Sequence, residues 1–252
     1  MSAAATPTPM PATVWRLRLM IIVGVLLSWE LLSASGILYR DVVPSLVRIG
    51  KALMTLLTSA DFYFNLGVTG GEIGVALLIG GTAGLAVGIA LGANRFLSHA
   101  FEALLLYLGP TPKIIFFPVI IMWFGVGPGS KIALGALSCF FPIAISAAAG
   151  MRQIDRVLIK VGRSFRASPW QMVTKIYVHA MRESILNGIR LGLGVAIVGT
   201  LLAETKLSNK GLGYLVIQAY ALFDMPKMYA LVIVLFVLSI GVNVLLGKLG
   251  RR

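Results

Sequence analysis

Residues 69–91 form an unbroken apolar run with one charged side chain, Glu72, and five further segments of similar character occur along the chain. A helix of about 20 residues crosses a hydrocarbon core of about 30 Å. No water inside that core can satisfy backbone N–H and C=O groups, so a spanning segment must be a helix or a strand of a closed barrel. The runs lack the alternation of a barrel strand, which leaves helices. The expected fold class is all-α: a polytopic membrane protein with about six transmembrane helices, over residues 19–35, 69–91, 101–123, 132–149, 187–203 and 229–246.

Composition excludes an ordinary soluble domain. The chain is 58% hydrophobic and 12% charged, about half the charge density of soluble proteins. A formal charge of +13 would point to nucleic acid in a soluble chain. Here it follows from membrane topology, and no nucleic-acid partner is expected. Cys139 stands alone and cannot form an intrachain disulfide. With only His99 and His179 besides, no metal site and no catalytic nucleophile cluster is expected. Residues 1–14, rich in Ala, Pro and Thr, are expected to be a disordered cytoplasmic tail, and 15–252 a membrane domain. Arg16 and Arg18 precede the first run, which reads as a retained signal anchor.

Between the first two runs, Val43, Leu46, Val47, Ile49, Leu53 and Leu56 recur at helical spacing among Arg40, Asp41, Arg48, Lys51 and Asp61. This predicts an amphipathic helix at the outer surface. Six spans starting inside place both termini in the cytosol. The inner side then holds Arg16, Arg18, Arg95, Arg152, Arg156, Lys160, Arg163, Arg166, Lys175, Arg182, Arg190, Lys248, Arg251 and Arg252. The outer side holds Arg40, Arg48, Lys51, Lys131, Lys206, Lys210 and Lys227. Fourteen against seven, with Lys113 left inside the third span, agrees with the excess of basic residues on cytoplasmic loops.

Within the second span Gly80, Gly84, Gly88 and Gly92 repeat every fourth residue and line one helical face, a pattern for close helix packing; Gly188 and Gly192 repeat it in the fifth. Pro110, Pro112 and Pro118 break the third span and free carbonyls, which is tolerated only against protein or water. Pro112, Pro118 and Trp123 are therefore candidate pathway residues. Between the fourth and fifth spans lies a basic polar stretch from about 151 to 186. Ser168-Pro169-Trp170-Gln171 carries a capping signature. The stretch reads as two short helices meeting at a turn near residues 166–168, a protrusion shaped to enter a groove on another protein.

The order and spacing of several segments resemble the permease subunits of binding-protein-dependent ABC importers, in the nitrate, taurine and alkanesulfonate branch. The segments are Gly84-Leu-Ala-Val-Gly-Ile-Ala-Leu-Gly92, residues 112–127, Ser130-Lys-Ile-Ala-Leu134, Phe141-Pro142, and Ala203-Glu204 followed by Asn209-Lys-Gly-Leu-Gly-Tyr-Leu215. The resemblance implies a type I importer permease fold with a cytoplasmic coupling loop. It also implies two ABC ATPase subunits that bind ATP and Mg, an extracytoplasmic substrate-binding protein, and a second permease, with a homodimer preferred to a heterodimer. The implied location is the bacterial inner membrane, with no cofactor bound by this chain. The loop residues implied to dock the ATPase are Lys160, Gly162, Arg163, Phe165, Arg166, Ala167, Ser168 and Trp170. In the family pattern the loop reads Glu-Ala-Ala, three residues, Gly, and later Ile-x-Leu-Pro. Here Lys160 stands for the Glu, Arg166 for the Gly and His179 for the Pro.

The chain holds no Gly-x-x-x-x-Gly-Lys-Ser/Thr sequence; Gly125-Val-Gly-Pro-Gly129 lacks the Lys-Ser/Thr and reads as a turn. Glu72 is placed near the outer end of its span. Glu204 is placed at a span end beside Lys206, as a helix-end ion pair or a substrate contact and therefore as a further pathway candidate. The expected function is the non-catalytic permease of an ATP-driven importer for a small solute, possible anions being nitrate, a sulfonate or a taurine-like molecule. The rival readings are an ion-coupled secondary transporter, which calls for charges clustered at mid-membrane, and a membrane scaffold without transport activity.

Overall fold

The structure is a computed structural model that describes residues 12–37 and 41–249. Most of the expected tail, Arg40, Arg251 and Arg252 lie outside the described residues.

Small residues decide what sits in the middle. Helix α6 (Pro128–Arg152) is rich in Gly, Ala and Ser, and it lies between α3 (Ala60–Ala93) and α10 (Arg182–Lys206). On the α3 side the glycine column makes the contact. A Cβ on Gly80 would strike the Ala136 carbonyl, one on Gly84 would lie 2.7 Å from the Phe140 carbonyl, and those on Gly88 and Gly92 would strike the Ala144 carbonyl and the Met151 side chain. Each turn of α3 thus rests on a turn of α6, and the two helices run parallel. On the other side, Gly199 meets Ser138, Gly192 meets Ile143 and Gly188 meets Ser146, so α10 runs antiparallel to α6. In lipid, where apolar surface gains nothing by leaving the solvent, such backbone approach supplies the dispersion contact that holds helices together.

Because α3 and α6 run parallel, the chain between them must return from one end of the bundle to the other. A single proline-broken span over 101–123 was expected; the structure instead has two helical pieces meeting at 91°. They are α4 (Arg95–Leu108) and a 3-10 turn (Lys113–Phe116) that leads into α5 (Phe117–Phe124). The cause is the sequence Gly109-Pro110-Thr111-Pro112, where two prolines in three residues remove ladder donors; Gly109 is still helical, at φ −54° and ψ −53°, and by Pro112 the backbone is extended, at φ −62° and ψ 100°. Lys113 bends back over the break, its Nζ donating to the carbonyls of Leu108 (3.3 Å), Gly109 and Thr111 (3.1 Å). That caps the freed end of α4 and accounts for a lysine inside an apolar segment. Pro118 breaks nothing: it sits in the first turn of α5, where its missing N–H has no helical partner to lose.

At the end of the bundle where α3 begins, α2 (Leu46–Leu57) and α11 (Leu212–Ala221) pack against α12 (Met225–Leu249) around Leu56, Phe62, Leu215, Ala230 and Leu231. The amphipathic stretch forms α2, burying Ile49 and Leu56. Its first N–H groups are capped by Ser45, and by Glu30 reaching from α1 (Ala12–Ser35) to Leu46 N at 3.0 Å. Trp29 of α1 donates to the Pro44 carbonyl and meets Tyr229 edge to face at 5.2 Å. The rest of α1 is exposed along its length, a helix on the rim of the bundle. The described residues thus hold five helices long and apolar enough to cross a membrane, six with the bent pair.

Candidate coupling tip and buried polar anchor

The basic stretch after α6 folds into a compact tip. Asp155 caps α7 (Arg156–Ser164), its carboxylate accepting from Val157 N at 2.8 Å. α7 ends in a double hydrogen bond in which Ala167 N donates to the Gly162 carbonyl and Arg166 N to the Arg163 carbonyl, at 3.0 and 2.9 Å. This is the Schellman closure, which requires a left-handed residue. Arg166 supplies it, at φ 49°. Ser168 and Gln171 then form a reciprocal capping box that starts α8 (Pro169–Gln171). That helix continues as π-helical turns (Met172–Tyr177) and a last turn α9 (Val178–Ala180), with the His179 ring donating to the Thr174 carbonyl. Gly162 lets α7 lie against this second helix, since a Cβ there would strike Ile176 and come within 2.5 Å of the Met172 sulfur.

The result is a rigid turn whose largest side chains point at nothing in this chain. Phe165 is 82% exposed and Trp170 74%. Lys160, Arg163 and Arg166 are also exposed, Ala167 is half-buried and Gly162 is buried. The sequence pattern had raised the question of how Arg could stand at a turn glycine. The backbone keeps the left-handed turn and Arg166 bears its strain. A non-Gly residue in that region costs about 1 kcal/mol, so Arg166→Gly should stabilise the tip by about 0.5–1 kcal/mol. Slower proteolysis at residues 165–168 would show it; faster cleavage would mean that the Arg166 side chain holds the turn.

At the opposite end of α10 lies a buried polar anchor. Glu204 is fully buried. Its Oε1 accepts from Thr69 Oγ1 at 2.7 Å and its Oε2 from Gly213 N at 2.6 Å. Thr69 Oγ1 in turn accepts from Leu212 N at 2.8 Å, and Asn65 Oδ1 from Gly211 N at 2.7 Å. The N–H groups of Gly211, Leu212 and Gly213, which open α11, are therefore taken by side chains of α3 and α10, with a carboxylate at the positive end of the helix. Gly211 has φ 103°, and a Cβ on it would strike the Glu204 carboxyl. The Glu204 and Gly211-Leu212-Gly213 elements of the sequence pattern are thus halves of one contact.

This corrects three expectations. Glu204 is not ion-paired with Lys206, which is exposed; the polar groups around it come from α3 and α11. Glu72 does not reach the outer interface but is buried beside Glu204, its Oε2 lacking a hydrogen-bond partner among the described residues. Lys131 is not an outer-surface cation: it is 2% exposed in the same layer, and its Nζ donates to the carbonyls of Val126 and Gly127 where α5 turns into α6. Spacing alone could not bring residues 72, 131 and 204 together; the parallel packing of α3 on α6 does so. Among the pathway candidates, Pro112, Pro118 and Trp123 are each exposed on the bent segment, Trp123 being 77% exposed, whereas Glu204 is buried.

Glu204→Gln keeps one acceptor and turns an NH₂ group toward a former N–H or O–H donor. A buried donor left unpaired costs about 1–3 kcal/mol. A correspondingly lower thermal midpoint in detergent is expected, and an unchanged midpoint would contradict the anchor.

The sequence profile of the family described as "Binding-protein-dependent transport system inner membrane component" matches residues 80–252. The chain belongs to that family. The permease is 30% identical over 225 residues to a putative aliphatic sulfonates transport permease protein of Bacillus subtilis (strain 168), covering 89% of this chain and 82% of the relative. It is also 30% identical over 194 residues to the taurine transport system permease protein of Escherichia coli (strain K12), covering 75% and 70%. A chain of the MetNI methionine ABC transporter, in an inward-facing conformation, superposes with a TM-score of 0.63 at 20% identity, over 79% of this chain and 96% of that one; the fold is therefore that of an ABC importer permease. The permease is a multi-pass, non-catalytic subunit of an ATP-driven importer, and ATP hydrolysis belongs to a separate ATPase.

Proposed function

We propose that two copies of this permease enclose a translocation pathway, with both termini in the cytosol and the α7–α8 tip seated in a groove of each of two ATPase subunits, which bind ATP and Mg. An extracytoplasmic binding protein delivers the solute at the end where α2 and α11 lie. The observation that carries this reading is the tip itself: Phe165 and Trp170 are held exposed by a Schellman closure on one side and a capping box on the other. Exposed large aromatics on a pre-ordered turn are the kind of residue that anchors an interface.

The tip also carries Lys160 and Arg166, so the groove that receives it is acidic. The solute is a small sulfonate or a related anion, a reading supported by the sulfonate and taurine permeases among the relatives. Pro112, Pro118 and Trp123 lie on the flank that meets the second copy, while Glu204 holds the pathway helices rather than touching solute.

The test is purification of the tagged permease from its native membrane in mild detergent. A Walker-motif ATPase in equal amount, with one permease species, supports the homodimeric importer. A second permease species would replace the homodimer with a heterodimer, and a well-folded permease that brings no ATPase under several mild conditions would overturn the coupling reading. Uptake of labelled taurine, competed by an alkanesulfonate but not by an uncharged analogue, tests the solute class.

A further inference from the structure

On the inward side of α7 lies a cavity of about 480 Å³, bounded by the junction of α3 with α4, the last turn of α6, and the π-helical turn. Its basic lining is Arg95, His99, Arg152, Arg156 and Arg163, joined by Ser98 and Tyr177. Acidic balance is nearly absent: Glu102 takes Arg152 at 2.7 Å, and it is the one carboxylate paired with any of these arginines among the described residues. Asp155 is spent on the Val157 N–H. The pocket also holds the first turn of α4 and the first residue of α7, but Asn94 and Asp155 cap those helix starts, so its positive field comes from the four guanidiniums.

α7 presents two different faces. Arg156, Ile159 and Arg163, at i, i+3 and i+7, line the cavity, whereas Val157, Val161 and Phe165, at i, i+4 and i+8, are exposed. The exposed face and the tip are what a motor protein would meet. The arginine face is turned back toward the membrane helices.

We propose that this pocket binds a phosphoryl-type oxyanion, presented in the membrane as the headgroup of an anionic phospholipid. The guanidinium fork matches a tetrahedral oxyanion's paired oxygens, and basic pockets between transmembrane helices on the cytoplasmic side recognise such headgroups. Bound there, the anion ties α4 and α6 to α7 and stiffens the seat of the coupling tip. The proposal rests on the reading of that tip as cytoplasmic and adds a ligand to its inward face.

The permease with its co-purified ATPase is placed in nanodiscs of phosphatidylcholine, with or without phosphatidylglycerol. Retained lipid is read by native mass spectrometry and stability by thermal unfolding. Wild type is expected to retain phosphatidylglycerol about tenfold more tightly than the variant Arg95→Gln/Arg156→Gln. A charge-matched control, Arg16→Gln/Lys248→Gln, changes two exposed residues outside the cavity and should match wild type.

Inorganic phosphate added to pure phosphatidylcholine discs separates the sources. An arginine-dependent rise in midpoint with phosphate, and none with phosphatidylglycerol, supports the same oxyanion site with a soluble ligand. Retention that is equal in wild type and pocket variant, with no phosphate effect, overturns the proposal. So does loss of the ATPase from the pocket variant while its lipid retention is unchanged, which would assign these arginines to the motor interface. If the double variant does not fold, Arg95→Gln alone must still weaken retention severalfold, and wild-type retention along this leg decides against the site. ATPase is scored in the same spectra, so failure of the coupling reading shows as a missing subunit, and failure of the present one as lipid binding that ignores the arginines.

Discussion

Trp170→Ala should leave the permease folded and inserted while removing ATPase co-purification and solute uptake. The side chain is 74% exposed and sits at the second position of α8, where the Ser168–Gln171 box and the Trp170 carbonyl, which accepts from Thr174 Oγ1 at 2.8 Å, are backbone or neighbouring-residue contacts that survive truncation. Exposed substitutions of this kind change stability by about 0.5 kcal/mol or less. An aromatic anchor at an interface is worth about 2–4 kcal/mol, or roughly 30- to 1000-fold in affinity. The two readouts therefore separate: an unchanged thermal midpoint, and loss of the ATPase from the purified complex. Normal uptake by the variant would remove Trp170 from the motor contact and shift attention to Phe165.

The second large effect concerns folding. Gly84→Leu should prevent accumulation of the permease in the membrane, because even the first added carbon would lie 2.7 Å from the Phe140 carbonyl and 3.3 Å from Ala144 N. Those are backbone atoms of the central helix, so α3 and α6 must part, and overpacking of this kind costs about 1–3 kcal/mol or more. Gly81→Ala, three residues away on the same helix, is the internal control. Its Cβ would lie 3.6 Å from Ile143 Cδ1, an ordinary contact, and the gain in helix propensity is about 1 kcal/mol. Equal behaviour of the two variants by in-membrane abundance and thermal midpoint would refute the packing described for the column.

Much of the architecture is legible in residue order. Length and apolarity fix the spans, because the bilayer sets a minimum run and forbids unpaired backbone within it. Caps are local too. Ser168-Pro169-Trp170-Gln171 reads as a helix start from sequence, and the structure forms that box between residues three apart. α11 shows the opposite case. Its ten residues are too few to span, and its N-terminus is held by Asn65, Thr69 and Glu204, so its local sequence gives little signal.

The bent segment is intermediate: the prolines announce a break, but a kink and a 91° turn look alike in sequence. The angle depends on Lys113 folding back onto the carbonyls of α4 and on Phe117 and Ile120 packing against α6 and α10. The charged residues were the least legible. Position near a span end implied water for Glu72, Lys131 and Glu204, yet α2 and α11 cover that end of the bundle and the three lie buried in one layer.

The sequence by itself therefore determined the class: membrane-spanning helices, a glycine face, a capped basic protrusion and the order of segments that marks an importer permease. These are properties of runs and spacings, governed by local geometry and by the solvent each residue can tolerate. The tertiary structure alone decided which helix is central, that α3 and α6 run parallel, and that Glu204 anchors α11. It also decided that four arginines from three separate segments line one cavity. Each of those depends on contacts between residues far apart in the chain, where the direction and register of helix packing, rather than local propensity, determine which atoms meet.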